Sequence, residues 1–209
     1  MDPRISWIMS FVARKIVLDL GCVRHSIAET EKLGWLHGEI KNTAQRVVGV
    51  DYLEQPVLEL KQRGYEVVCA NVEVMQLGER FDVVVAGDLI EHLNNFGKFI
   101  ERVKDHLKPD GVFVMTTPNP VNPLRFISVL FRGEAGANPE HTCWFTERVL
   151  RQLFERYGFE AVDVRYVDDS YQYYQSWKWF PFFPINYLLV RIRPQFAETI
   201  CAAFRLRSS

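Results

Sequence analysis

The chain has 209 residues, 48% hydrophobic and 24% charged, which suits one folded domain with a sizeable core. Twenty-five Lys and Arg stand against 26 Asp and Glu, a formal charge of −1. Disorder, collagen-like repeats and coiled coil are excluded for the whole, and no net charge points to nucleic acid. Only the aromatic share is high, at 13%.

Residues 5–13 are apolar and run into Arg14 and Lys15 with no cleavable-signal pattern. A short helix over one end of a sheet is expected there, with a weak membrane-surface anchor as the other reading. Residues 16–20 and 47–51 read as buried strands, followed by a helix over 54–63 that stops at Gly64. Strands over 66–70 and 81–86 come next. A helix over 95–107 places Phe96, Phe99, Ile100, Val103 and Leu107 on one face. It should end in a Pro109-Asp110-Gly111 turn, with glycine supplying the unusual dihedral, ahead of a strand over 112–116. Thr146 is placed to cap a helix through Tyr157, closed by Gly158. Residues 159–167 and 200–206 read as the last two strands, antiparallel if they pair. The pattern predicts one domain over 1–209, an α/β parallel sheet covered by helices, with irregular insertions at about 118–143 and 168–199.

The four cysteines, Cys22, Cys69, Cys143 and Cys201, form no CxxC or short Cys/His pair. No zinc site or disulfide framework is expected, and a reducing, cytoplasmic setting fits. No apolar stretch is long enough to span a bilayer.

In an open parallel sheet, ligands bind beyond the carboxyl ends of the strands. Those ends read Asp19-Leu20-Gly21-Cys22, Asp51-Tyr52, Ala70-Asn71 and Gly87-Asp88. An acidic residue after the second strand suits both hydroxyls of a ribose, and Gly21 allows close backbone approach. Asn71 could accept from an adenine amino group. A dinucleotide site is disfavoured, because Gly21 lacks the G-x-G-x-x-G partners and Asp51 comes 30 residues later.

The segments "KIVLDLGC", "VVGVDY", "FDVVVAGDLIEHL" and "LKPDGVFVMTTPNP", in this order, resemble the class I S-adenosylmethionine-dependent methyltransferases over about residues 15–167. The resemblance implies a Rossmann-like three-layer sandwich with a seven-stranded, mostly parallel sheet whose last strand is antiparallel. It implies S-adenosyl-L-methionine as cofactor. Asp19, Gly21 and Cys22 would lie on the methionine side, Asp51 and Tyr52 at the ribose, Asn71 and Val72 at the adenine, and Gly87 and Asp88 near the reacting methyl. Two departures stand out: Val23 and His25 replace glycines usual in the family, and Asn71 replaces an Asp. Residues 22–26 are expected to take another path and fill the space differently.

"NPEHTCWFT" is similar to small-molecule methyltransferases of polysaccharide and antibiotic biosynthesis, which implies a catalytic His141 facing the acceptor. The other reading is a histidine pinning the long loop by hydrogen bonds. Glu91 and His92 read first as the start of a helical region, with Glu91 capping backbone donors. No metal is expected; the alternative is a divalent-ion cluster of Asp88, Glu91 and His92, similar to one proposed in ubiquinone-biosynthesis O-methyltransferases. His25 reads as a helix-start residue or as a neighbour of the methionine carboxylate. His37 and His106 read as solvated, and the Trp35-Leu36-His37 stretch as packing.

Nine of the 28 aromatic residues fall between Tyr171 and Tyr187. This segment reads as a cover over the sheet, a platform for flat acceptor rings, or a weak membrane-surface contact. The expected activity is methyl transfer to a small, glycan-like or lipid-linked acceptor at oxygen. The alternatives are a catalytically inactive binding or regulatory module, and a peripheral membrane protein working through residues 171–187.

Overall fold

The hydrophobic runs form the strands expected of them: β1 (Ile16–Leu20), β2 (Arg46–Asp51), β3 (Val67–Cys69), β4 (Phe81–Gly87), β5 (Leu107–Pro118), β6 (Phe159–Val167) and β7 (Thr199–Leu206). They make one seven-stranded sheet in the order β3-β2-β1-β4-β5-β7-β6. Neighbours from β3 to β5 pair in parallel, and β7 inserts antiparallel between β5 and β6. This is the Rossmann-like α/β arrangement with a reversed last strand. The computed structural model describes residues 2–23, 26–30, 34–136, 138–168 and 182–207. His25 and most of the aromatic run, residues 171–181, therefore lie outside the described residues.

The helices are α1 (Pro3–Val12), α2 (Ile27–Thr30), α3 (Leu36–Thr43), α4 (Glu54–Gln62), α5 (Phe96–His106), α6 (Pro123–Arg132), α7 (Glu147–Glu155) and α8 (Phe183–Ile192). Successive strand residues point to opposite faces, and each face has its own cover. On one, Leu18, Leu20, Val84 and Phe113 meet Phe99 and Val103 of α5 and Phe154 of α7. On the other, Val17, Val83, Val85 and Val114 meet Trp7 and Ile8 of α1 and Ile40 of α3. So α1 covers a face of the sheet, not one end of it, and Trp7 Nε1 donates to Asp163 of β6 at 3.0 Å.

Phe154 stacks on Phe204 with ring centroids 4.3 Å apart and on Phe113 at 5.4 Å, with Phe159 edge-on at 5.8 Å. It is the clamp between α7 and the antiparallel end of the sheet. Phe154→Ala should cost about 3–5 kcal/mol in denaturant unfolding, the range for deleting a buried ring.

Side-chain capping explains several helix starts. Asn95, Asn122 and Thr146 each accept from a backbone N–H in the following turn, a contribution of about 1 kcal/mol apiece. Gly64, at φ +81°, follows α4 as expected. The helix capped by Thr146 ends at Glu155, and Gly158 turns the chain three residues later at φ +83°.

Three expectations need correction. Gly111 has no positive φ. It lies within β5, where the register with β4 shifts between Phe81 and Val83. A Cβ there would come within 3.1 Å of Leu107, the Lys108 carbonyl and the Phe81 carbonyl, so the glycine serves close approach. The two segments read as irregular contain helices α6 and α8. Finally, His37 and His106 are buried, not solvated. His106 Nε2 accepts from Leu77 N at 3.0 Å, and His37 Nδ1 lies 2.9 Å from Asp19 Oδ2.

Candidate functional site

Because β1 to β4 run in parallel, their carboxyl ends open on one edge of the sheet. There the chain leaves β1 through Gly21, at φ +74°, with Gly21 N donating to the Val50 carbonyl at 2.8 Å. Gly21 is free of the Cβ that would press within 3.1 Å of Leu89. After it, Cys22 and Val23 turn inward against Trp35, Val57, Leu60 and Val67. Trp35 Nε1 donates to the Cys22 carbonyl at 2.8 Å, and Val23 N donates to Asp51 Oδ2 at 2.9 Å. Where the family resemblance leads to the expectation of a glycine, Val23 is thus a packing residue held by Asp51 and Trp35. Burial, with the charges of Asp19 and Asp51, pushes the Cys22 thiol far up, so it packs as a neutral group.

Asp51 is buried at the end of β2, and burial raises its carboxyl above the ordinary value. Its other oxygen accepts from Leu53 N at 3.1 Å. A carboxylate offers about four acceptor positions, so Asp51 keeps capacity for a diol. The neighbouring Tyr52 stands 72% exposed. Asn71 Oδ1 accepts from Glu73 N at 2.8 Å in a local turn, and Val72 packs into the core beside it. Asp19 points to the other face of β1 and is held by His37 from α3. Gly49 makes room for this pair: a Cβ there would come within 2.8 Å of His37 and 2.7 Å of the Cys22 sulfur.

At the end of β4, a Cβ on Gly87 would meet Leu36 at 2.6 Å. Asp88 follows at φ +50°, the left-handed region that Asp tolerates better than most residues. Its carboxylate accepts from Arg4 of α1 and from Thr116 Oγ1 at 2.8 Å. The Asp88–Glu91–His92 cluster is not what the structure assembles. Among the described residues the groups placed to share an ion are Glu91, His92 and His141, with ligand atoms all within 4.8 Å. Asp88 is turned instead to Arg4.

Glu91 turns inward, toward its own backbone N–H and Thr117. It sits in a short 3-10 turn over Ile90–His92, is 1% exposed, and accepts from Thr117 Oγ1 at 2.9 Å through Oε2. Its Oε1 is buried with no partner. Burial raises its pKa to about 7. The neutral acid's stabilising contribution is therefore full below the unfolded value of about 4.5 and lost as pH rises through about 7. Glu91→Gln should consequently stabilise the fold near pH 8, by on the order of 3 kcal/mol, and do little near pH 4. Melting curves across that range would show the crossover.

The long segment after β5 is strapped over this turn by Thr142, whose N donates to the Glu91 carbonyl at 2.8 Å and whose hydroxyl donates to Leu93 O at 2.7 Å. Thr142, not His141, pins the loop. That leaves the His141 ring against His92, with centroids 4.7 Å apart, and against Trp144 at 6.0 Å. Its Nδ1 is buried without a partner. Burial lowers its pKa, and the charges of His92 and Arg125 lower it further. A neutral imidazole beside a carboxyl near its midpoint is a proton-accepting arrangement. Arg125 lies 4.5 Å over the Trp144 ring and is paired with Glu198. Sequence reading missed four partners here: His37, Thr117, Arg4 and Arg125. Two shallow surface hollows are present, of about 530 Å³ along α7 and 580 Å³ between Glu73, Val74 and Gly97.

Comparison with known proteins agrees with this geometry. The chain is 33% identical over 130 residues to a probable S-adenosylmethionine-dependent methyltransferase of Mycolicibacterium smegmatis, covering 60% of this chain and 48% of that protein. It is 30% identical over 109 residues to a ubiquinone biosynthesis O-methyltransferase of Bradyrhizobium diazoefficiens, covering 49% and 40%. The chain thus spans about half the length, or less, of these curated relatives. Among solved structures, the 1,6-didemethyltoxoflavin-N1-methyltransferase of Burkholderia thailandensis, with bound S-adenosylhomocysteine, superposes with a TM-score of 0.63. The match covers 99% of this chain and 80% of that one at 18% identity, a likeness of fold. A family model described as methyltransferase domain matches residues 7–164, and the chain belongs to that family.

Proposed function

We propose that the chain transfers a methyl group from S-adenosyl-L-methionine to a small or glycan-like acceptor, at oxygen. The observation that carries this reading is the juxtaposition at one sheet edge. The bare backbone of Gly21 and the carboxylates of Asp19, Asp51 and Asp88 occupy the strand ends, and neutral, unpinned His141 stands beyond them. The residues fit the cofactor: Asp51 keeps acceptor positions for the ribose hydroxyls, and no Cβ blocks the loop at Gly21. Tyr52 would lie beside the ribose, Asn71 and Val72 would flank the adenine, and Cys22, Gly87 and Asp88 would line the methionine side.

The cofactor would supply an electrophilic methyl group on its sulfonium. The chain's part is alignment, exclusion of water and removal of one proton. In the mechanism, the His141 imidazole takes the acceptor's hydroxyl proton as the oxygen attacks. Glu91, ionising near neutrality beside it, stabilises the imidazolium that forms. The four scattered cysteines, with no CxxC or short Cys/His pair, support a reducing, cytoplasmic setting. Among the described residues no helix is long and apolar enough to cross a membrane.

Oxygen as the acceptor atom rests on this need for a base. Turnover of methyl-labelled cofactor with hydroxylated and aminated small molecules tests it. Label recovered as a methyl ether is expected; label recovered only on nitrogen would overturn the oxygen assignment. Cofactor binding with no transfer to either set would favour the inactive-module reading.

A further inference from the structure

Helices α6 and α8 are built inside out. α6 buries Leu124 but also Arg125 and Ser128, while Phe126, Leu130 and Phe131 stand 67–70% exposed. α8 buries Asn186 and exposes Ile185, Leu188 and Ile192. In a helix packed for stability alone, these placements would be reversed. Nine of the 14 large exposed hydrophobic side chains among the described residues fall on α6, on α8 or at Val121. Apolar exposure concentrated in this way marks an interaction surface.

The two helices are tied at both ends. Phe131, late in α6, meets Phe182 at the start of α8 with ring centroids 5.9 Å apart. Asn122, which caps α6, donates to the Phe196 carbonyl just beyond α8 at 3.0 Å. The helices therefore run side by side in opposite directions. Arg125 anchors this pair to Glu198 from its buried side, which explains why the polar residue faces inward.

Charge selects the occupant. Neither helix carries an Asp or Glu, and Arg132, Arg191 and Arg193 are exposed at their ends. Glu134, in the turn after α6, is the acid nearest in sequence to α6. A second copy docking through the same face would bring these arginines against their own equivalents. An anionic bilayer surface accepts both features: apolar side chains enter the acyl boundary while arginines meet the headgroups. We propose that the α6–α8 face docks on anionic lipid membranes. This reading stands apart from the methyl-transfer proposal, although Arg125, Trp144 and His141 connect the docked face to the site through a single layer of side chains.

Flotation of the full chain with phosphatidylcholine vesicles, with and without phosphatidylglycerol, tests the proposal. Binding is expected only to the phosphatidylglycerol vesicles and should weaken with salt. Phe126→Ser with Leu130→Ser should reduce partitioning by roughly tenfold or more, and Arg191→Glu with Arg193→Glu should abolish the lipid preference. These positions are exposed, so thermal melting should stay at the wild-type value and show the variants are folded. Wild-type protein that stays off anionic vesicles would overturn the proposal. So would unchanged binding by the serine variant. A wild-type dimer that the serine variant converts to monomer, without vesicle binding by either, would assign the face to self-association instead.

Discussion

His141→Ala is expected to lower the rate of methyl transfer by about 100- to 10,000-fold, the usual contribution of a positioned general base, and to leave cofactor affinity within about twofold. The separation follows from placement. His141 belongs to the strap held down by Thr142, whereas the cofactor residues sit on strand ends. It also follows from the pKa. Burial lowers the His141 pKa below the ordinary histidine value, so the imidazole is already neutral through the physiological range. The acid limb of the rate profile should therefore fall below the range of an ordinary histidine, and His141→Ala should remove that limb. A structural role would instead appear as a lower melting temperature with the limb retained.

Asp51→Ala should have the second large effect. Two charge-assisted hydrogen bonds to a ribose contribute roughly 3–6 kcal/mol together, so affinity for S-adenosylhomocysteine should fall by about 100-fold or more. Val23 N and Leu53 N lose their acceptor in the same variant. Asp51→Asn separates the two consequences, because the amide oxygen still accepts from one of these donors. Burial raises the Asp51 carboxyl, so its stabilising contribution to the fold is greatest at low pH and fades as it ionises. Asp51→Asn should then bind cofactor weakly while melting no lower than the wild type near neutrality. The requirement for the charge would be one of ligand binding, not of folding.

The strand ends were legible in the sequence because β-rich runs punctuated by Asp, Asn and Gly carry local signals. Five of the seven strands pair in parallel, and their ends fall where those signals placed them, within one or two residues for β1, β2 and β4. What the sequence hid depends on contacts between distant residues. His37 looked solvated because its partner, Asp19, lies 18 positions earlier and on another element. Glu91 looked like a helix cap because Thr117 reaches it only after β5 pairs with β4. Asp88 looked like a free ligand until α1 delivered Arg4.

α6 and α8 were missed for a different reason. Their apolar residues have helical spacing, but the periodicity points outward, and a pattern read as a core-facing stripe does not match. Each of these helices opens with a proline in its first turn, which is compatible with a helix. Loss of the loop glycines was the clearest warning in the sequence. The structure shows Val23 packed and hydrogen-bonded, so the departure is one of loop design and leaves Gly21 and Asp51 in place.

Calorimetric titration of the whole chain with S-adenosylhomocysteine tests the cofactor site most directly. Saturable one-site binding at micromolar ligand is expected, with the heat lost in Asp51→Ala and retained in His141→Ala. Absence of heat from the wild type at high micromolar ligand, or undiminished binding by Asp51→Ala, would contradict it.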